Sequence, residues 1–194
     1  AARAGRIPVE VAAVISNRAD AAGLARAAEL GIPTAVVAAS DHPDRASYDR
    51  ALMDAIRSWS PGLVVLAGFM RVLGPQIVRE FSGRMLNIHP SLLPAYRGLH
   101  THERVLAAGD KVHGCSVHFV TEELDGGPVI VQARVPVYPD DTPETLSARV
   151  QAEEHKIYPQ AIEWFATGRL QWRDGMAWLD GRPLHEPVIM GNMQ

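Results

Sequence analysis

Short apolar runs alternate with amphipathic stretches along the first half of the chain. "VEVAAVIS" (Val9 to Ser16), "IPTAVVAA" and "LVVLAG" are apolar segments of strand length. Between the first two, the alanine-rich "ADAAGLARAAELG" ends at Gly31, which suits a helix and its terminating residue. Tyr48, Ala51, Leu52, Ala55, Ile56 and Trp59 recur at i, i+3, i+4, i+7, i+8 and i+11, so they share one helical face, closed by Pro61-Gly62. Strands buried on both faces lose the period-two alternation of a half-exposed sheet. The succession therefore predicts a parallel sheet with helices on both sides, a doubly wound α/β fold.

The second half changes character. After "RMLNI" the pattern predicts a short helix near His102 to Ala108, a strand "CSVHFV", a turn-rich "TEELDGGP" and a strand-rich "VIVQARVPV". Thr142-Pro143-Glu144 puts a capping hydroxyl, a proline and an acid where a helix should start, and Pro159 is expected to kink or interrupt that helix. Asp174-Gly175 and Asp180-Gly181 signal small C-terminal hairpins. No repeat, low-complexity tract or linker divides the 194 residues, and one domain is expected.

Composition removes some function classes. With 47% apolar and 21% charged residues and a net charge of −3, the chain has no general basic field, so nucleic acid is not an expected partner. No apolar run approaches the roughly 20 residues that cross a bilayer, so no membrane partner is expected. Cys115, the single cysteine, cannot form an internal disulfide, and a reducing cytoplasm is the expected location.

Candidate chemistry concentrates in "NIHPSLLPAYRG", Asn87 to Gly98. Side chains alternate along a strand, so Asn87 and His89 point the same way from the end of "RMLNI", and Pro90 ends the strand. Ligands of open α/β sheets bind beyond the carboxyl ends of the strands, where "AGFMRVLG", "NIHPSLLP" and "VTEELDGGP" all begin. There Asn87 could donate to a developing oxyanion, His89 could act as acid or base, and Asp125 could orient that imidazole. Each has a plainer alternative: an Asx cap, a histidine bonded to backbone, a hairpin turn. Among eight histidines His100 and His102 are one residue apart, but no cysteine or H-E-x-x-H pattern accompanies them, and no metal centre is expected. Cys115 lies in an apolar run and reads as a packed thiol, and no serine stands in a G-x-S-x-G.

From "LNIHPSLLPAYRGLHTHERVLAAGDKVHGCSVHFVTEELDGGPVIVQARVPV", through "VVLAGFMRVL" and "ARVQAEEHKIYP" to "AWLDGRPL", the sequence resembles the phosphoribosylglycinamide formyltransferases, of the folate-dependent formyltransferase superfamily. The resemblance implies a Rossmann-like fold and transfer of a formyl group from 10-formyltetrahydrofolate to the amine of 5-phosphoribosylglycinamide, in purine biosynthesis. It implies Asn87, His89 and Asp125 as the catalytic trio. It places Arg45, Met70, Arg71, Val72, Leu73, Asn87, Thr121, Glu122, Glu123, Leu124 and Asp125 against the folate, and Gln151, Ala152, Glu153 and Glu154 near the ribonucleotide. Apolar Met70, Val72 and Leu73 suit a flat pterin, although core packing accounts for their pattern equally well. The resemblance allows a homodimer. Formyltetrahydrofolate deformylase, methionyl-tRNA formyltransferase and a non-catalytic folate- or nucleotide-binding module are the rival readings.

The family opens with a strand and a Gly-rich loop whose amides hold the substrate phosphate, and neither is found in residues 1 to 194. The parent protein is accordingly expected to carry about 20 further N-terminal residues containing both, the length such a strand and turn require. Intact-mass measurement of the natural protein checks this.

Overall fold

The computed structural model describes residues 1–191. Its elements in chain order are β1 (Val14–Ser16), α1 (Ala22–Glu29), β2 (Thr34–Val36), α2 (Arg45–Arg57), β3 (Val64–Leu66), α3 (Pro75–Glu80), β4 (Met85–His89), α4 (Thr101–Ala108), β5 (Val112–Phe119), β6 (Val129–Pro136), α5 (Pro143–Ala166), β7 (Leu170–Arg173), β8 (Met176–Leu179), β9 (Arg182–Pro183) and β10 (Val188–Met190). The α/β class is as the apolar pattern predicts. β1 and β2 form a parallel pair, and a five-stranded sheet runs in the order β10-β6-β5-β4-β3. In that sheet β3–β4 and β6–β10 are parallel, while β4–β5 and β5–β6 are antiparallel. A three-stranded antiparallel sheet, β7-β8-β9, follows α5. Its turns fall at Asp174-Gly175 and Asp180-Gly181, all four with positive φ, as two-residue hairpin turns require.

Three expectations are corrected. The first strand covers Val14–Ser16 rather than starting at Val9. The helix over Arg45–Arg57 ends before Trp59, which is 39% exposed, and only Tyr48 and Leu52 of its predicted face are buried. α5 runs through Pro159 without interruption. The proline removes one helical hydrogen bond, but Val150, Ile157, Tyr158, Ala161 and Trp164 are buried on both sides of it. Burying each such large apolar side chain contributes roughly 1.5–3 kcal/mol, so the packed stripe outweighs the lost bond.

Two apolar clusters hold the fold together. The larger joins α5 to β5 and β6 through Val117, Phe119, Ile130, Val131, Leu146, Val150 and Ile157. The smaller joins α2, α3 and β3 through Tyr48, Leu52, Val64, Ile77 and Phe81, with Ile15 and Val37 of the first two-strand unit packed against it. No helix among the described residues is long and apolar enough to cross a membrane.

The entry to α5 is fixed by one carboxylate. Asp141 accepts from both terminal nitrogens of Arg149 at 2.7 Å, from the Thr145 hydroxyl at 2.8 Å and from the Tyr138 amide at 2.8 Å. The Arg149 guanidinium lies 4.4 Å from the Tyr138 ring centroid, and Thr142 and Thr145 form a reciprocal capping box. The Arg149 hydrogen bonds, followed by those from Tyr138 and Thr145, hold the Asp141 carboxyl well below the usual carboxylate range against the opposing effect of desolvation. A depressed folded-state value contributes stability that is complete above the unfolded aspartate value of about 3.9 and is lost as pH falls below it. Asp141→Asn should therefore lower stability by about 2 kcal/mol at neutral pH and flatten the acid limb below about pH 4, as urea titrations at several pH values would measure.

Candidate active site

β4 carries the first two candidate side chains, and the β4–β5 ladder gives each a facing partner. Asn87 stands opposite His118, and His89 opposite Ser116. The His118 Nδ1–H donates to the Phe119 carbonyl at 2.9 Å, which leaves its Nε2 to accept from the Asn87 amide at 3.1 Å. Burial lowers the His118 pKa, consistent with a neutral ring that can accept. One amide hydrogen of Asn87 is thus taken by His118, and the other remains for a ligand.

His89 is buried, with 7% exposure, and its Nε2–H donates to the Tyr96 carbonyl at 2.9 Å. Its Nδ1 faces Asp125 Oδ2 at 3.6 Å, a charge contact beyond direct hydrogen-bond length. That same oxygen accepts from the Gly98 amide at 2.8 Å, and Asp125 Oδ1 lies 3.9 Å from His118 Nε2. A carboxylate with only 8% side-chain exposure therefore sits between two imidazoles. Because the Tyr96 carbonyl takes the Nε2–H, Nδ1 is the ring nitrogen left facing the site.

The intervening "PSLLP" run is anchored by buried polar groups. Ser116 Oγ donates to the Ser91 carbonyl at 2.6 Å and accepts from the Leu93 amide at 3.1 Å. Gln132 on β6 donates to the Leu93 carbonyl at 2.9 Å and to Ser116 Oγ at 3.0 Å. Asp125 is carried by a tight turn, with φ of 48° at Asp125 itself, and Gly127 behind it passes against β5. A Cβ on Gly127 would come within 1.9 Å of the Phe119 carbonyl oxygen.

A slot opens beside this group, lined in part by Arg71, Val72, Leu73, Asn87, His118 and the Thr121–Asp125 loop. Its cavity of about 90 Å³ is well below the volume of a usual ligand pocket, and the exposed Val72 and Leu124 lie along it. Glu122 and Glu123 are ion-paired to Arg79 and Arg97 at the rim. Arg45 does not line the slot; it donates to the Val72 carbonyl at 2.8 Å and so supports the lining segment, and Met70 projects outward at 76% exposure. A larger cavity of about 460 Å³ lies at the amino ends of β1 and β2, near Gly31, Pro33 and Trp59, away from the strand ends where such sheets bind ligands.

Of the α5 candidates, Gln151 and Ala152 are exposed, while Glu153 and Glu154 are half-buried, Glu153 paired with Lys156 at 2.7 Å. Burial raises the Glu154 pKa. Glu154 stands four residues from Val150 and four from Tyr158, a carboxylate on a buried apolar stripe. Tyr158 was not a sequence candidate: its hydroxyl lies 2.7 Å from the Leu66 carbonyl and 3.0 Å from the Leu86 carbonyl, tying α5 to the end of β3 and to β4 just before Asn87. Ser116 and His118 were also missed as site residues, although polar side chains at period two in an otherwise apolar strand were a usable signal. His102 pairs with His113 at 3.1 Å, and among the described residues no group of three or more His, Cys, Asp or Glu side chains is arranged to hold a metal. Burial, then repulsion from His102, pushes the His113 pKa down to about 4.

An amide, an imidazole and a buried carboxylate at the carboxyl end of a parallel strand pair, beside a slot of mixed apolar and polar lining, make a site suited to acyl-group transfer without an enzyme nucleophile. The chain belongs to the formyl transferase family, which matches residues 1–162. It is 55% identical to the phosphoribosylglycinamide formyltransferase of Escherichia coli (strain K12) over 184 residues, covering 95% of this chain and 87% of that protein. The solved phosphoribosylglycinamide formyltransferase of Coxiella burnetii superposes with a TM-score of 0.93 at 51% identity, covering 98% of this chain and 90% of that one. A formyltetrahydrofolate deformylase from Pseudomonas syringae pv. tomato shares the fold at a TM-score of 0.84 but only 28% identity, with 58% of its chain covered.

Gly127→Ala forces the Phe119 carbonyl and the Asp125 turn apart, because the added methyl meets backbone rather than a movable side chain. The expected cost is about 2 kcal/mol in thermal or urea unfolding, with Asp125 displaced from His89 in the crystal structure of the variant.

Proposed function

We propose that this chain transfers a formyl group from 10-formyltetrahydrofolate to the amine of 5-phosphoribosylglycinamide, a step of purine biosynthesis, and that residues 1–194 act as one formyltransferase domain in the cytoplasm. The observation that carries this reading is the joint placement of Asn87, His89 and Asp125 at one end of β4, beside a slot lined by the Thr121–Asp125 loop. Identity near one half to named phosphoribosylglycinamide formyltransferases supports the acceptor.

In the proposed reaction the neutral amine attacks the formyl carbon, a nitrogen–carbon bond forms, and the carbonyl becomes a tetrahedral oxyanion. The free amide hydrogen of Asn87 and protonated His89 Nδ1 donate to that oxygen, and both interactions strengthen as charge develops. Asp125, 3.6 Å from Nδ1, keeps the imidazolium charge compensated in a buried setting and, through water on the substrate side, passes a proton from the attacking to the leaving nitrogen. Collapse of the intermediate breaks the bond from the formyl carbon to the folate nitrogen and releases tetrahydrofolate. Arg71, Val72, Leu73 and the Thr121–Asp125 loop hold the folate ring, with Arg45 and Met70 at the edge. Glu154, with Gln151, Ala152 and Glu153 on the same helical segment, faces the ribonucleotide.

The assay measures tetrahydrofolate release with and without 5-phosphoribosylglycinamide. Release at equal rates in both would favour deformylation and overturn the transferase reading. His89→Ala should lower kcat by about 10³-fold or more while folate affinity changes by less than about threefold, because the lost interaction belongs to the transition state. Near wild-type turnover in that variant would remove His89 from the mechanism.

A further inference from the structure

The two groups that face each other in the site are held by the backbone of one short loop. The Tyr96 carbonyl accepts from His89 Nε2, and two residues later the Gly98 amide donates to Asp125. Their 3.6 Å separation is therefore only as fixed as residues 96 to 98. That segment is not a relaxed one: Tyr96, Gly98 and His100 have φ of 54°, 79° and 58°, and two of the three are not glycine. Left-handed non-glycine residues persist only where surrounding contacts over-determine them.

Those contacts come from α4 and the residue after its C-terminal Gly109. Arg104 donates from Nη1 to the Arg97 carbonyl at 2.7 Å and to the Leu99 carbonyl at 3.3 Å, the two carbonyls flanking Gly98. Its guanidinium also lies 5.3 Å from the Tyr96 ring centroid. The Tyr96 hydroxyl donates to Asp110 Oδ2 at 2.5 Å. Neither Arg104 nor Asp110 is buried, so neither is explained as part of the core. Both spend their interactions on one loop.

We propose that Arg104 and the Tyr96 side chain, with Asp110 behind it, are positioning residues: they hold the Tyr96–Gly98 backbone so that one carbonyl fixes the His89 tautomer and one amide fixes Asp125. The proposal rests on the formyl-transfer reading for its kinetic consequence but not for its structural one. If the clamp is released, the Tyr96 carbonyl no longer requires the proton on Nε2, and Nδ1 ceases to be the defined site of proton exchange.

The test uses the full chain with Arg104→Met, Arg104→Lys and Tyr96→Phe. Nitrogen-15 NMR of the neutral His89 ring reads the tautomer directly, independent of turnover. The wild type should show Nε2–H alone, and Arg104→Met and Tyr96→Phe should show mixed tautomers. In the kinetic arm kcat should fall about tenfold with each KM changed by less than about twofold, and the pH–rate profile should be displaced; Arg104→Lys, which keeps one donor for the Arg97 carbonyl, should recover part of both signals. Tyr96→Phe removes a single oxygen, and it decides the matter if Arg104→Met does not fold. An unchanged tautomer in Tyr96→Phe, or losses that track melting temperature with no change in the ring signals, would overturn the proposal. A wild type inactive in formyl transfer but with the predicted tautomer changes would overturn the functional reading and leave the positioning role standing.

Discussion

The antiparallel pairing of β4 with β5 is the constraint from which the site follows. It sets His118 across from Asn87, where the two side chains bond, and Ser116 across from His89, where its hydroxyl anchors the loop that follows β4. A one-residue slip would turn both pairs to the other face and put Cys115 and Val117 in their place. Burial of Cys115, Val117 and Phe119 in the larger apolar cluster, against α5, opposes that slip. Hydrophobic packing on one face of β5 thereby specifies hydrogen bonding on the other.

The same division of labour explains why so many polar atoms can be buried here. Ser91, Ser116, His118 and Gln132 are all buried, and each has a hydrogen-bond partner. In a low-dielectric interior a satisfied network is rigid and an unsatisfied one is costly. The network fixes the "PSLLP" run on the sheet, and that run in turn delivers Tyr96 and Gly98 to His89 and Asp125. Charge is handled differently at the rim. Glu122 and Glu123 are paired with Arg79 and Arg97, so the acidic loop presents little uncompensated negative charge to the slot.

The pattern of apolar positions was enough for the elements of the α/β fold, for Gly31 as a helix terminator and for the Thr142 cap, because these depend on residues a few positions apart. Asn87 and His89 were legible as a pair for the same reason: period two on a strand is a local rule. Pro159 did not interrupt α5, because the local rule was there overridden by six buried side chains of the helix. Trp59 misled because helical spacing continues to count after the helix has ended at Arg57.

What the sequence by itself determined is therefore the local geometry: strand and helix periods, caps, turns, and two catalytic-type side chains on one face of β4. Only the tertiary structure decided which groups meet them. Asp125 reaches His89 from 36 residues away through a left-handed turn, and His118 reaches Asn87 through a cross-strand register. The clamp of Arg104 and Asp110 on the Tyr96 loop depends on backbone carbonyls, which every residue carries and no sequence pattern marks. Long-range pairing is set by the summed burial of the clusters rather than by any one residue, and for that reason it becomes visible only when the chain is folded.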